Sequence, residues 1–125
     1  MPIVDIVFDK IEVERKKEIK PSIKLNISLT FKDLIEEKEI EDKKFISFIF
    51  DFLIDYDKEA KVFLEGRTIY VDKKEEIEKL IKNWRKDKEF MKKIYNFTLT
   101  KCNLKALFIE DQVNLPLHIP FPSIK

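Results

Sequence analysis

Residues 45–56 read FISFIFDFLIDY. Ile46, Phe48, Phe50, Phe52, Ile54 and Tyr56 recur at every second position, the period of a β-strand with one apolar face. The alternate positions mix Phe45, Ile49 and Leu53 with Ser47, Asp51 and Asp55. A strand largely apolar on both faces is either central in its sheet or covered by another subunit.

The flanking segments supply the rest of a sheet. In Ser22–Phe31, SIKLNISLTF, the side chains of Ile23, Leu25, Ile27, Leu29 and Phe31 alternate with polar ones. Pro21 suits the start of that strand. Pro2–Arg15 also reads as strand. Val4, Ile6 and Phe8 share one parity, but Ile11 and Val13 have the other, so a β-bulge or kink is predicted near Asp9–Lys10. After the central strand, DKEA makes a short turn and Ala60–Asp72 returns, with Gly66 marking a bulge or bend. Four sequential strands with short charged connections predict an antiparallel meander.

From Lys73 the period changes. Ile77, Leu80, Ile81 and Trp84 follow i, i+3, i+4, i+7, which predicts a short amphipathic helix with Asp72 as its N-cap and Glu75 and Glu76 in its first turn. A second helix is predicted from about Asp87 to Asp111. Met91, Tyr95, Cys102, Ala106 and Ile109 mark its apolar stripe; Phe90, Ile94, Phe97, Leu104 and Phe108 widen it. Thr98-Leu99-Thr100 is poor helix sequence, so tertiary packing must hold it. Gln112–Pro122, QVNLPLHIPFP, then carries three prolines and no charge, so it is an extended tail. The order predicts one α+β domain over residues 1–125: a four-stranded antiparallel sheet with a short and a long helix on one face and a proline-rich C-terminal tail.

Composition narrows the function. A single Gly removes the glycine-rich phosphate loops and the nucleophile-elbow turn. One Cys excludes an internal disulfide and a multi-Cys metal site. The start, MPIVDIVFDK, does not read as a signal peptide, and no uncharged apolar run approaches the roughly 20 residues of a membrane helix; a cytoplasmic location is expected. Dense Lys, Glu and Ile beside one Gln suggest a thermophilic source. Net charge is +1, but residues 1–81 carry 16 basic and 20 acidic groups, and residues 82–125 carry 9 and 4.

Little in the chain points to catalysis, a metal or a cofactor. His118, the one histidine, reads as a plain polar side chain in a groove or at the surface. Cys102 on the helix stripe reads as a buried, inert thiol. Asp51 and Asp55 share a strand face and could bind a cation, although solvated carboxylates are commoner. Lys82–Lys93, KNWRKDKEFMKK, has six basic groups against two acidic, beside Trp84 and Phe90. It could touch nucleic acid, but Asp87 and Glu89 interrupt it and a solvated helix junction is the better reading. The tail is different: an uncharged, proline-stiffened segment must lie in an apolar trough or form an exposed patch.

The order of elements, together with KCNLKALFIEDQVNLPLHIPFPSI at residues 101–124, resembles the SecB family of export chaperones. FDKIEVERKKEIKPSIKLNI resembles that family's first strand, crossover and second strand, and Phe45–Asp72 its third and fourth. Val113, Asn114, Leu115, Pro116, Leu117, His118, Ile119, Pro120 and Phe121 are similar to the family's proline-containing stretch after the long helix. The resemblance implies an ATP-independent holdase without catalytic residues or cofactor. It implies protomers paired into an eight-stranded sheet and stacked through helices as a homodimer or homotetramer, and apolar grooves for unfolded polypeptides. Clients would be preproteins or an antitoxin. Where this chain ends at Lys125 the family begins another helix, and the link between the first strands is short and lacks Trp, so docking to the SecA motor is left open. The residues expected to meet polypeptide are Trp84, Phe90, Leu115, Leu117, Ile119 and Phe121. The alternatives are a non-chaperone oligomeric adaptor or small-ligand binder of the same architecture and, more weakly, RNA binding through Lys82–Lys93.

Overall fold

FISFIFDFLIDY lies within β3 (Lys43–Tyr56), which sits between β4 (Ala60–Lys73) and β2 (Leu25–Ile40). The computed structural model describes residues 3–16 and 24–119. The central position accounts for apolar groups on both faces of β3. Ile46, Phe48, Phe50, Phe52, Ile54 and Tyr56 are fully buried, and register places Phe52 opposite Leu64 and Ile54 opposite Val62 on the same face. The turn to β4 is tight. Asp57 and Lys58 both have positive φ, the backbone of a two-residue hairpin that matches strand twist. The Lys58 N–H donates to Asp55 Oδ1 at 3.0 Å.

The meander holds for three strands of the four. β2, β3 and β4 follow one another, but β1 (Ile3–Arg15) pairs with β4, giving the order β1-β4-β3-β2, antiparallel throughout. The chain therefore passes from one sheet edge to the other between Arg15 and Leu25. Apolar alternation fixes which face of a strand is buried; it carries no information about the neighbouring strand, and a short charged link does not supply it.

The parity switch in β1 is a bulge. Register shifts between Phe8 and Lys10, leaving Asp9 as the extra residue. Ile6 and Phe8 then oppose Thr68 and Gly66, while Ile11 and Val13 oppose Leu64 and Val62, so all four share the helix side of the sheet. Gly66 sits opposite the bulge. A Cβ there would stand 2.1 Å from the Val7 carbonyl oxygen and 3.0 Å from Phe50 Cζ, so the close approach of β1 requires the chain's one glycine. β2 runs nine residues beyond Phe31, through a second register shift that brings Leu34 opposite Phe48. Its charged end, Glu36–Glu39, is compatible with strand because β2 is an edge.

β4 leads directly into α1 (Lys74–Asn83), whose Ile77 is fully buried. Lys73 is the N-cap and has no side-chain cap bond; Asp72 accepts the Lys73 N–H at 2.8 Å and does not cap the helix as expected. α2 (Lys88–Gln112) is capped by Asp87, which accepts the Phe90 N–H at 3.1 Å. Its core line is Ile94, Thr98, Cys102, Ala106 and Ile109. Thr98 is held by tertiary contact, its hydroxyl 2.6 Å from that of Thr68. Two apolar clusters result. Phe50 to Tyr56 pack with Cys102, Ala106, Ile109 and Leu115; Ile46 and Phe48 pack with Tyr70, Ile77, Trp84 and Ile94. No helix among the described residues is long and apolar enough to cross a membrane.

Candidate functional site: the tail anchor and the open face of the long helix

The tail begins with a left-handed residue. Asn114 has φ 58°, and the Leu115 N–H donates back to Glu110 O at 2.9 Å, closing the end of α2 in a Schellman-type turn. Asn followed two residues later by Pro is the sequence signal for such a stop. Leu115 then enters the larger cluster with 5% of its surface exposed.

Beyond Pro116 the chain is clamped to α2 by a buried polar network. Glu110 is fully buried. Its carboxylate accepts from the Tyr56 hydroxyl and from the His118 backbone N–H, and lies 2.6 Å from His118 Nδ1. His118 Nε2 is 2.9 Å from Asn103 Oδ1. The two contacts hold the imidazole ring between Glu110 and Asn103. Burial, reinforced by the Glu110 carboxylate, pushes the Tyr56 phenol well above its usual range. His118 thus departs from expectation: its side chain is wholly buried, not at a groove surface. Glu110 escaped the sequence reading, although a carboxylate next to Ile109 on the core line was the available signal. The network is closed to solvent and holds no nucleophile. What it can do is fix the tail.

Other sequence candidates are placed as follows. Leu117 is half-buried and lines a cavity of about 420 Å³ with Arg15, Asp111, Asn114 and Pro116. Ile119 is 37% exposed; Phe121 lies outside the described residues. Trp84 packs inward with its ring 5.5 Å from that of Phe48, and Phe90 lies 5.0 Å from Tyr70 and 5.7 Å from Phe48. These two belong to the second cluster, whereas Leu115 belongs to the first. Phe90 and Asn103, which the tail's His118 reaches, are separated by about 20 Å of helix at 1.5 Å per residue. Trp84 and Phe90 are therefore not brought together with the tail.

Asp51 and Asp55 are otherwise engaged: Lys32 bridges Asp51 and Glu65 at 3.0 and 2.9 Å, and Asp55 closes the hairpin turn. Cys102 is buried as expected, which pushes its thiol up to about 12. In the Lys82–Lys93 junction, Arg85 stacks over Trp84 at 4.3 Å and donates to the Lys32 carbonyl.

The remaining unusual surface is on α2. Leu104 and Phe108, expected to widen the buried stripe, are 59% and 60% exposed. The core line steps by four and then three residues from Ile94 to Ile109, and so turns Leu104 and Phe108 outward. Tyr95 is exposed for the same reason. On the outer strands, Ile11 and Ile27 face the helix side of the sheet yet remain 46% and 45% exposed. No protein-family model matches the chain, and no curated protein matches it.

Proposed function

We propose that the chain is an ATP-independent holdase of the SecB-like kind, holding unfolded polypeptide against the helix layer. The observation that carries this reading is the pair Leu104 and Phe108, about three-fifths exposed on a helix whose opposite side is fully packed. Large apolar groups kept in water on an otherwise charged molecule mark a contact surface. Client side chains that cover them release water at about 25 cal/mol per Å² of apolar area, which needs no nucleotide and no catalytic group. The strand crossover between Arg15 and Leu25 supports the reading, since the SecB resemblance includes a crossover between the first two strands. Preproteins or an antitoxin are the client types it implies.

The tail's role in this reading is changed by its geometry. Leu115 and His118 anchor it, Leu117 is half-buried, and Ile119 is left 37% exposed. Anchoring by a buried network also favours the second reading, an oligomeric adaptor in which the outward α2 face is permanently covered by another copy. Light scattering separates the two. A chemically unfolded model protein diluted into buffer without nucleotide should stay soluble in the presence of equimolar chain. Unchanged aggregation favours the adaptor.

A further inference from the structure

We propose that the outer face of α2 selects client segments whose apolar side chains are flanked by Asp or Glu. This rests on the holdase reading and adds the chemistry of the client. The stretch 92–109, KKIYNFTLTKCNLKALFI, contains four lysines and no acidic residue, in a chain with 24 Asp and Glu. Lys93, Phe97, Lys101, Leu104 and Phe108 are spaced four, four, three and four residues apart, so they run along one side of the helix. Lys101 Nζ lies 5.8 Å from the Phe97 ring, and Lys105 Nζ lies 5.8 Å from the ring of Phe8 on β1. The apolar stripe is therefore set among ammonium groups.

Those ammonium groups are unmatched among the described residues. On the sheet, Lys32 bridges Asp51 and Glu65, Lys44 meets Glu36, and Arg67 meets Asp9 and Glu37. Among the described residues, Lys93, Lys101 and Lys105 have no carboxylate at ion-pair distance. Of the acidic groups on α2, Glu110 is buried against His118, and Glu89 and Asp111 stand in the first and last turns. A second copy laid face to face on this stripe would bring lysine towards lysine. An unfolded segment with basic flanks meets the same repulsion. An acidic-flanked segment places carboxylates beside Lys93 and Lys101 while its apolar residues cover Leu104 and Phe108.

The test uses the full chain and two labelled, unstructured peptides with the same apolar centre, one flanked by Glu and Asp and the other by Lys. Fluorescence anisotropy should give about tenfold tighter binding of the acidic-flanked peptide at low salt, the sum of a few exposed ion pairs. The difference should shrink to about twofold near 1 M salt, where screening acts within a few Å. Lys93→Glu with Lys101→Glu should reverse the order, and Leu104→Ser with Phe108→Ser should weaken both peptides. Equal binding of both peptides at low salt overturns the charge preference and leaves the holdase reading standing. Binding of neither peptide overturns both. Displacement of the acidic peptide by a tighter-binding single-stranded oligouridine would make this a nucleic-acid face and overturn the proposal. So would a smaller assembly in sedimentation for the Leu104→Ser, Phe108→Ser variant with peptide binding unchanged, since a second copy would then own the face.

Discussion

Glu110 gathers three buried contacts, so its removal takes that partner from the Tyr56 hydroxyl, the His118 backbone N–H and His118 Nδ1. Glu110→Ala should cost about 3–5 kcal/mol, since each buried donor left unsatisfied costs about 1–3 kcal/mol. Tyr56→Phe removes one donor from a carboxylate that keeps two, and should cost about 1.5–3 kcal/mol. Chemical denaturation measures both; a Glu110→Ala variant within 1 kcal/mol of the parent would mean that the network does not hold the tail. The tyrosines also set an alkaline limit. Burial, then the Asp72 carboxylate, raises Tyr70 to about 12, and Tyr56 is raised further by burial and Glu110. In the unfolded chain both ionise near pH 10, so their contribution is full below about pH 10 and is lost as pH rises towards the folded values. Denaturation midpoints should fall between about pH 10 and 12, less steeply in Tyr70→Phe; the same slope in that variant would contradict the assignment. At pH 8 the Cys102 thiol should resist alkylation until the chain unfolds, because burial holds it protonated.

Gly66 and the bulge at Asp9 act at the scale of the element, since together they let β1 lie against β4. Gly66→Ala drives a methyl group into the Val7 carbonyl and should cost about 3 kcal/mol or more. Amide exchange in β1 should then rise ahead of β3; unchanged protection in β1 would show that the contact yields. Much at this scale was legible from local pattern. Period two gave the helix-facing residues of β1, of β2 up to Phe31 and of β3, and the change of parity in β1 gave its bulge. Thr98 behaved as a poor helix former held from outside. What local pattern missed depended on partners distant in sequence. The pairing of β1 with β4 is a choice between neighbours of equal hydrophobicity. The strand beyond Phe31 is charged because it is an edge. Leu104 and Phe108 read as core because hydrophobicity does not reveal that the helix axis turns them outward. The tail was legible only as an extended apolar segment, whereas Glu110 and His118 as its clamp required the fold of α2 and Asn114 to bring them together.

At the scale of the whole molecule, two outer strands present long edges, and Ile11 and Ile27 stand beside them in water. β2 is blunted by its charged end, so β1 is the better template for pairing with another chain. We expect at least a dimer at micromolar concentration by sedimentation, with charged substitutions of Ile11 shifting it towards monomer; a monomeric parent would remove the case for a continuous sheet across subunits. Holding of clients is the central claim, and one paired measurement bears on it most directly. Aggregation of an unfolded model protein is followed by light scattering, without nucleotide, in the presence of the parent chain or of the Leu104→Ser, Phe108→Ser variant. The two side chains are exposed, so the melting temperature of the variant should stay near that of the parent. The parent should suppress scattering, and the variant, equally folded, should do so weakly. Suppression by both to the same extent, or by neither, would contradict it.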